Sequence, residues 1–200
     1  SINMRSAFVG VVKRSRAVAQ RWTQVRSIAV GTDLTTSDLT WQKARPWYMT
    51  DAEGSNDAAD NARSMTDIFA GKTVAVFGVP APFTGTCTNE HYPPYKAMAD
   101  QFAAAGTDSL ICYSVADPYA HHGWSKSLGN EDDKIEFLAD TDCDWAKEYN
   151  LDRDYSGASL GVRSARFSML VKNGVVQTFH MVDDDASKDA ETLLADLEKL

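Results

Sequence analysis

The run KTVAVFGVP, residues 72–80, is the feature that most limits how this chain can fold. It is short, continuously apolar and closed by Pro80, which is typical of a buried strand. Two further β-rich runs, SLICYSV at 109–115 and IEFLAD at 135–140, follow at spacings that leave room for helices between them. The pattern predicts strands that alternate with helices around a buried sheet.

The first interval has the periodicity of an amphipathic helix. Its apolar residues recur at i, i+3, i+4 and i+7 and are Tyr95, Met98, Ala99 and Phe102. Gly106 is well placed to end this helix. Because Pro93 has no N–H to donate to the carbonyl of Asn89, the helix either is kinked near Pro93 or begins there.

The remaining segments complete an α/β pattern. Further helical segments are predicted at 65–71, 117–129 and 144–150. Residues 33–50 are expected to be irregular or a short hairpin, whereas 166–182 has two β-rich runs around Asn173-Gly174, a strong hairpin signal. A last helix carries a leucine stripe formed by Leu193, Leu194, Leu197 and Leu200. The economical interpretation is a thioredoxin-like fold, with a central mixed β-sheet flanked by helices.

Charge is distributed unevenly along the 200 residues. Residues 1–32 contain six basic and no acidic residues, whereas 33–200 contain 14 basic and 28 acidic ones. So acidic a body argues against nucleic acid as a partner, since phosphate binding requires basic patches. No stretch approaches the roughly 20 apolar residues of a membrane span.

The basic segment 1–32 resembles an organelle transit peptide, most simply a mitochondrial one. It is rich in Arg, Ser, Ala and Val, and residues 6–22 could form a helix with one apolar side. A disordered basic arm is the alternative, which would leave a cytoplasmic location or another organelle open. The rest divides into an N-terminal segment, 33–64, with a polar acidic loop at 51–60, and the predicted thioredoxin-like domain, 65–200.

Cys87 directly follows the first strand, in PAPFTGTC, and a helix is predicted after it. An ordinary thiol has a pKa near 8.5 and is only about 3% thiolate at pH 7, so a reactive cysteine needs help to ionise. A helix N-terminus, the Thr84 hydroxyl and a distant arginine could provide it. The alternatives are a buried structural cysteine or, with His91, part of a metal site for which no further ligands are evident.

PAPFTGTC also fits the Pro-x-x-x-Thr-x-x-Cys motif of peroxiredoxins, and the chain resembles their type II, or peroxiredoxin-5-like, branch. Three further blocks follow in the family's order: LICYSVADPYAHHGW, KIEFLAD and LGVRSARFSMLVKNGVV. The resemblance covers about 65–200, and 33–64 is poorly matched.

The resemblance implies a role for each matching position. Cys87 corresponds to the peroxidatic cysteine, Thr84 to the threonine that hydrogen-bonds thiolate and peroxide, and Pro80 to the proline that shields the pocket. Arg166 corresponds to the arginine that stabilises the thiolate and the leaving oxygen. Two nearby groups rank lower, Arg163 and His91. No metal or bound organic cofactor is required.

The other two cysteines lack a motif of their own. Cys112 stands where plant-like type II relatives have a resolving cysteine, although a buried strand cysteine is the alternative. Cys143 has no assignable family counterpart and is expected to be incidental, with a regulatory or glutathionylated thiol as the alternative. His121 and His122 are expected at the surface.

The resemblance therefore implies a thiol peroxidase that reduces hydrogen peroxide and alkyl hydroperoxides and forms a homodimer. Its reductant would be thioredoxin, or glutathione with glutaredoxin. The alternatives are a peroxide sensor that passes disulfides to partner proteins and a binding module with an inert thiol.

Overall fold

The computed structural model describes residues 26–49 and 54–200. The helix considered for 6–22 lies outside these residues, as does part of the predicted acidic loop. Residues 26–32, the described end of the basic segment, contact the domain. Ile28 is buried, and the Gly31 N–H donates to the Val176 carbonyl at 2.8 Å.

Strands and helices alternate along the chain as the apolar runs predict. The strands are β1 (Thr40–Lys43), β2 (Ala62–Ser64), β3 (Thr73–Val79), β4 (Ser109–Ser114), β5 (Glu136–Ala139), β6 (Asp152–Asp154), β7 (Val162–Ser164), β8 (Phe167–Lys172) and β9 (Val175–Met181). The α-helices are α1 (Met65–Phe69), α2 (Tyr92–Ala104), α3 (Pro118–Ser127), α4 (Asp144–Glu148) and α5 (Asp189–Leu197).

Within the described residues, seven strands form one mixed sheet in the order β2-β1-β5-β4-β3-β8-β9. Strands β3, β4 and β5 are parallel, whereas β8 is antiparallel to β3 and β9 to β8. The β8–β9 hairpin turns at Asn173-Gly174, where both residues have positive φ, as a two-residue primed turn requires. The predicted thioredoxin-like sheet with flanking helices is confirmed.

Apolar side chains cover both faces of this sheet. One face packs against α2, α3 and α5, and its buried cluster includes Cys87 and Cys112. The other face packs against α1 and α4, and its cluster includes Cys143. The three cysteines are therefore divided between the two faces.

The prolines shape the start of α2. The helical segment begins before them, and the turn Cys87–His91 is π-helical, with the Tyr92 N–H donating to the Cys87 carbonyl. Pro93 and Pro94 are the second and third residues of α2 and lie inside the continuous helical segment, where neither nitrogen donates a hydrogen bond. The turn that carries Cys87 is thus wider than an α-turn, a feature common at functional sites.

Three sequence-based expectations were wrong, and burial explains the first. His121 is fully buried, because the inner side of α3 also carries Trp124 and Ser125. Its Nε2 donates to the Cys112 carbonyl at 3.2 Å, and burial lowers its pKa to about 4. Its neighbour His122 is partly exposed.

The other two corrections concern strand pairing and a helix end. Residues 33–50 are neither all loop nor a hairpin of their own. They contain β1, and both strands that pair with it, β2 and β5, lie outside the segment. The buried Trp41 anchors β1 in the core. Leu200 is 47% exposed, because α5 ends at Leu197.

Candidate active site

Cys87 lies in the first helical turn after β3, at the carboxyl end of a central strand. Its side chain is 1% exposed. The Thr88 N–H donates to the Thr84 carbonyl at 2.9 Å, which closes the first turn. The N–H groups of 85–87 lie in that first turn, so the helix offers them no carbonyl one turn earlier. They create a positive potential at the position of the sulfur.

The loop before Cys87 is held in an unusual conformation. Phe83 has a φ of 59°, a left-handed value that is rare for an aromatic residue, and its ring is 61% exposed. The Thr84 hydroxyl donates to the Ala81 carbonyl at 2.9 Å. A hydroxyl has one proton, so in this state Thr84 does not donate to the sulfur.

Arg166 is the cation that contacts Cys87. It comes from the residue immediately before β8, 79 positions along the chain, and its Nη2 lies 3.4 Å from the Cys87 Sγ. Its Nη1 donates to the His91 Nδ1 at 3.1 Å. One guanidinium thus contacts the sulfur and a histidine four residues after it.

The contact with Arg166 requires that the His91 Nδ1 carry no proton. A guanidinium only donates, so Nδ1 accepts and the ring proton is on Nε2. That N–H donates to the Asp189 Oδ2 at 2.8 Å. Burial lowers the pKa of His91 below its ordinary value, although Asp189 opposes the effect, so the ring is neutral at pH 7.

Asp189, at the first residue of α5, is a buried carboxylate that the sequence analysis missed. It is 6% exposed and accepts three hydrogen bonds, from His91, from Tyr95 at 2.5 Å and from Ser168 at 2.7 Å. Burial by itself would raise its pKa, but these bonds outweigh burial and hold the pKa below its ordinary value. The one signal in the sequence is its spacing, because Asp189 lies four residues before Leu193 and therefore on the side of the last helix that carries the leucine stripe.

A cavity of about 590 Å³ opens beside this cluster. Pro80 and Arg166 line it, together with Thr86, Glu90 and Met181 among others. A second cavity, of about 490 Å³, lies by Lys43 and His122 and contains none of the predicted site residues, so the chemistry points to the first. Arg163 is turned away, since its Nε donates to the Leu160 carbonyl at 2.8 Å and its Nη1 to that of Val115.

Cys112 lies on β4 and faces the same side of the sheet as Cys87. It is fully buried, directly opposite Phe77 in the β3–β4 register, and not disulfide-bonded. Burial raises its pKa well above the ordinary value, and the neighbouring Cys87 adds to that effect. In this state Cys112 is a neutral thiol.

Cys143 lies on the opposite face, before the first residue of α4. It is 4% exposed and has a left-handed backbone, with φ of 62°. Burial, followed by the negative charge of Asp140, raises its pKa to about 11. The charge that acts most strongly on Cys143 is thus opposite in sign to the one beside Cys87.

The comparisons with known proteins agree on one family. The Redoxin family model matches residues 47–194. The mitochondrial peroxiredoxin-2F of Arabidopsis thaliana is 40% identical over 176 residues, covering 88% of this chain and 81% of that protein. The mitochondrial peroxiredoxin-2F of Oryza sativa subsp. japonica is 38% identical over 184 residues, covering 89% and 88%.

Solved structures give the same answer. Reduced Prx3 from Vibrio vulnificus in complex with H2O2 is 33% identical with a TM-score of 0.72, covering 86% of this chain and 96% of that one. Peroxiredoxin 5 from Alvinella pompejana, 21% identical with a TM-score of 0.71, shares the fold and covers 86% and 99%. This chain belongs to the peroxiredoxins, in their type II branch, and is a thiol-dependent peroxidase.

Proposed function

We propose that Cys87 is the peroxidatic residue and that Arg166 activates it. The Cys87 thiolate attacks one peroxide oxygen, so that an S–O bond forms as the O–O bond breaks. The product on the protein is a sulfenic acid, and the departing oxygen takes a proton and leaves as water or an alcohol. The observation that supports this most is the 3.4 Å contact between the Arg166 Nη2 and the Cys87 Sγ.

Arg166 acts on both ends of the reaction. Its charge favours the thiolate over the thiol before attack, because an adjacent cation stabilises an anion. During attack, negative charge moves to the departing oxygen, and a fixed donor there lowers the barrier by a few kcal/mol. The backbone N–H groups of the first helical turn act in the same direction.

Thr84 and Pro80 complete the pocket in this proposal. Thr84 releases the Ala81 carbonyl and rotates its hydroxyl towards the thiolate or the bound peroxide, a change that costs one hydrogen bond and gains another. Pro80 lines the cavity beside Arg166 and limits the access of water. Cys87 does not line this cavity, so in this proposal the peroxide enters it and reaches the sulfur past Arg166.

We propose Cys112 as the resolving residue. Its thiol condenses with the Cys87 sulfenic acid, so that an S–S bond forms and water leaves. Cys112 is buried in a strand, so the first turn around Cys87 must unwind to let the Cα atoms approach within about 7 Å. The π-helical turn and the two prolines after it leave few helical bonds to break there.

The remaining partners and the location follow from the family. We propose thioredoxin as the reductant of a Cys87–Cys112 disulfide, and glutathione with glutaredoxin as the reductant if Cys87 is reduced directly. We also propose a homodimer, consistent with the exposed Phe83 beside the site. A mitochondrial location is supported by the mitochondrial relatives and by the basic segment 1–32.

Mass spectrometry after one equivalent of hydrogen peroxide tests the mechanism. We expect a Cys87–Cys112 disulfide in the wild type, a trapped Cys87 sulfenic acid in Cys112→Ser, and neither in Cys87→Ser. If the wild type instead forms a mixed disulfide between Cys87 and added glutathione, and little internal disulfide, then glutathione and not Cys112 resolves the sulfenic acid. Oxidation confined to other residues would overturn the assignment of Cys87.

A further inference from the structure

We propose that Asp189 is a positioning residue for the peroxide reaction, acting through His91 to hold the Arg166 guanidinium against Cys87. This inference rests on the proposed role of Arg166. Asp189 touches neither sulfur nor peroxide in this arrangement. It acts through a chain of hydrogen bonds that runs from α5 to the sulfur in three contacts, of 2.8, 3.1 and 3.4 Å.

The Asp189 carboxylate is held by three hydrogen bonds. Its Oδ2 accepts from the His91 Nε2 and the Tyr95 hydroxyl, and its Oδ1 accepts from the Ser168 hydroxyl at 2.7 Å. The three donors come from the π-helical turn, α2 and β8, and all three side chains are fully buried. A buried charge persists only when its oxygens are satisfied, so these bonds keep Asp189 ionised and fixed.

The charge of Asp189 also fixes which nitrogen of His91 carries the proton. An ionised carboxylate only accepts, so it requires a proton on the His91 Nε2. That leaves Nδ1 as a lone pair facing Arg166, which only donates. Without the negative charge, the ring could hold its proton on Nδ1, which would then point at the guanidinium and repel it. Asp189 therefore selects the one tautomer of His91 that can bind Arg166.

The His91 ring is surrounded by two charged groups and two aromatic rings. The charged groups in contact with its ring are Arg166 on one side and Asp189 on the other, while the Phe77 and Tyr95 rings pack edge-on at 5.4 and 5.5 Å. The ring is fully buried. Because the ring is buried between these partners, we infer that a change at Asp189 is transmitted to Arg166.

A second histidine–aspartate pair, whose aspartate is also on α5, provides a control. The His180 Nε2 lies 2.8 Å from the Asp196 Oδ2, the same distance as in the His91–Asp189 pair. Asp196 is on α5 as well, but it contacts Lys199 rather than the Arg166 cluster. Because His180 and Asp196 are partly exposed and the first pair is buried, Asp196→Asn controls for the loss of an α5 carboxylate and its histidine bond, and the alkylation profile tests the effect on Cys87.

The experiment compares Asp189→Asn with Asp196→Asn. We expect Asp189→Asn to slow the reaction of Cys87 with hydrogen peroxide at least about tenfold in stopped flow. It should also move the pH profile of Cys87 alkylation by iodoacetamide to higher pH, because Arg166 no longer faces the thiolate. Asp196→Asn should stay within twofold of the wild type in both. A folded Asp189→Asn protein that matches the wild type in both would overturn the proposal.

Two variants of His91 decide the question if Asp189→Asn fails to fold. In His91→Gln the amide nitrogen replaces Nε2 and keeps the bond to Asp189, but Arg166 loses its acceptor. In His91→Asn the amide oxygen replaces Nδ1 and keeps an acceptor for Arg166. We expect both variants to react more slowly than the wild type, because each breaks one of the two links between Asp189 and Arg166. A folded His91→Asn protein that reacts as fast as the wild type would overturn the proposal, since it keeps an acceptor for Arg166 without the bond to Asp189.

Failure of the proposed function has a different signature. If Cys87→Ser reacted with peroxide as fast as the wild type, Cys87 would not be the reacting residue. The alkylation profile would still test Asp189, because iodoacetamide needs only the thiolate and no peroxide chemistry.

Discussion

The two faces of the central sheet each carry a buried cysteine and a buried aspartate, but they differ in the groups placed between the two. Each has a buried cysteine near the start of a helix and a buried aspartate close to it. On one face these are Cys87 and Asp189, and on the other they are Cys143 and Asp140. Each aspartate also accepts a hydrogen bond from a buried tyrosine hydroxyl.

The difference lies in what separates carboxylate and sulfur. Between Asp189 and Cys87 stand a neutral histidine and the Arg166 guanidinium, so a cation faces the sulfur. On the other face burial, followed by the charge of Asp140, raises the pKa of Cys143 to about 11, and Lys147 opposes this only in part. Burial near a helix start therefore does not by itself make a thiol reactive, and the contact with a guanidinium is what distinguishes Cys87 from Cys143.

The largest effect should come from exchanging each sulfur for oxygen. We expect Cys87→Ser to slow the reaction with hydrogen peroxide by at least about a thousandfold, because a serine hydroxyl does not ionise near pH 7. Cys143→Ser should stay within about threefold of the wild type. Stopped-flow measurement of peroxide consumption distinguishes them. Comparable losses in both folded variants would remove the contrast between the faces.

The next effect should come from the cation beside Cys87. Arg166→Gln removes the charge, and we expect the peroxide rate constant to fall by about 10²–10³. Arg166→Lys keeps the charge but cannot contact the sulfur and His91 together, so its loss should be intermediate. Arg153→Gln is the control, since Arg153 lines the same cavity and donates to backbone carbonyls of 150 and 152. An equal loss in that variant would indicate a general effect of charge.

The pH dependence of Cys143 sharpens the comparison further. With a pKa of about 11, only about one Cys143 in a thousand is a thiolate at pH 8. Its alkylation in the folded protein should therefore rise about tenfold per pH unit up to pH 11. The same raised pKa means that the folded state binds more protons than the unfolded one between about pH 9 and 11, so stability from this thiol is lost as the pH rises.

Protein unfolded in urea is the control for this measurement, since there Cys143 should alkylate as an ordinary thiol. Peptide mass spectrometry after timed quenching assigns the label. A folded-state profile that levels off near pH 9 would show that the thiol reacts through local opening and not in its buried environment.

The sequence predicted the central strands well and the edges poorly. The runs at β3, β4 and β5 and the hairpin at Asn173-Gly174 were identified because they are long, apolar and bounded by turn residues. Strands β2 and β6 have only three residues each, and each is held by a neighbouring strand across a connecting loop, β2 by β1 and β6 by β7. No local pattern of three residues carries that information.

The candidate site also contains residues that the sequence predicted and residues that it did not. The motif residues were chosen through the resemblance to a family, and the structure brings Arg166 and His91 to Cys87 across 79 and four positions of sequence. Asp189 was missed because an aspartate within an acidic segment is expected to be exposed. His121 was wrongly expected at the surface for a related reason, since only the packing of α3 shows which of two adjacent histidines is buried.

The smallest effect should separate the two tyrosines that donate to the buried aspartates. Tyr95→Phe removes a 2.5 Å bond to Asp189, and Tyr113→Phe removes a 2.7 Å bond to Asp140. Each should lower the free energy of unfolding by about 1.5–3 kcal/mol, measured by urea denaturation, because each carboxylate loses one charged hydrogen bond.

Only Tyr95→Phe should also slow the peroxide reaction, by about two- to fivefold. With one donor fewer, Asp189 becomes a stronger base and favours a doubly protonated His91, which cannot accept from Arg166. The loss should therefore grow as the pH falls. Tyr113→Phe, on the face without a cation, should stay within the error of the wild-type rate at every pH. Equal rates for both variants would mean that the hydrogen bonds on Asp189 stabilise the fold without reaching the sulfur.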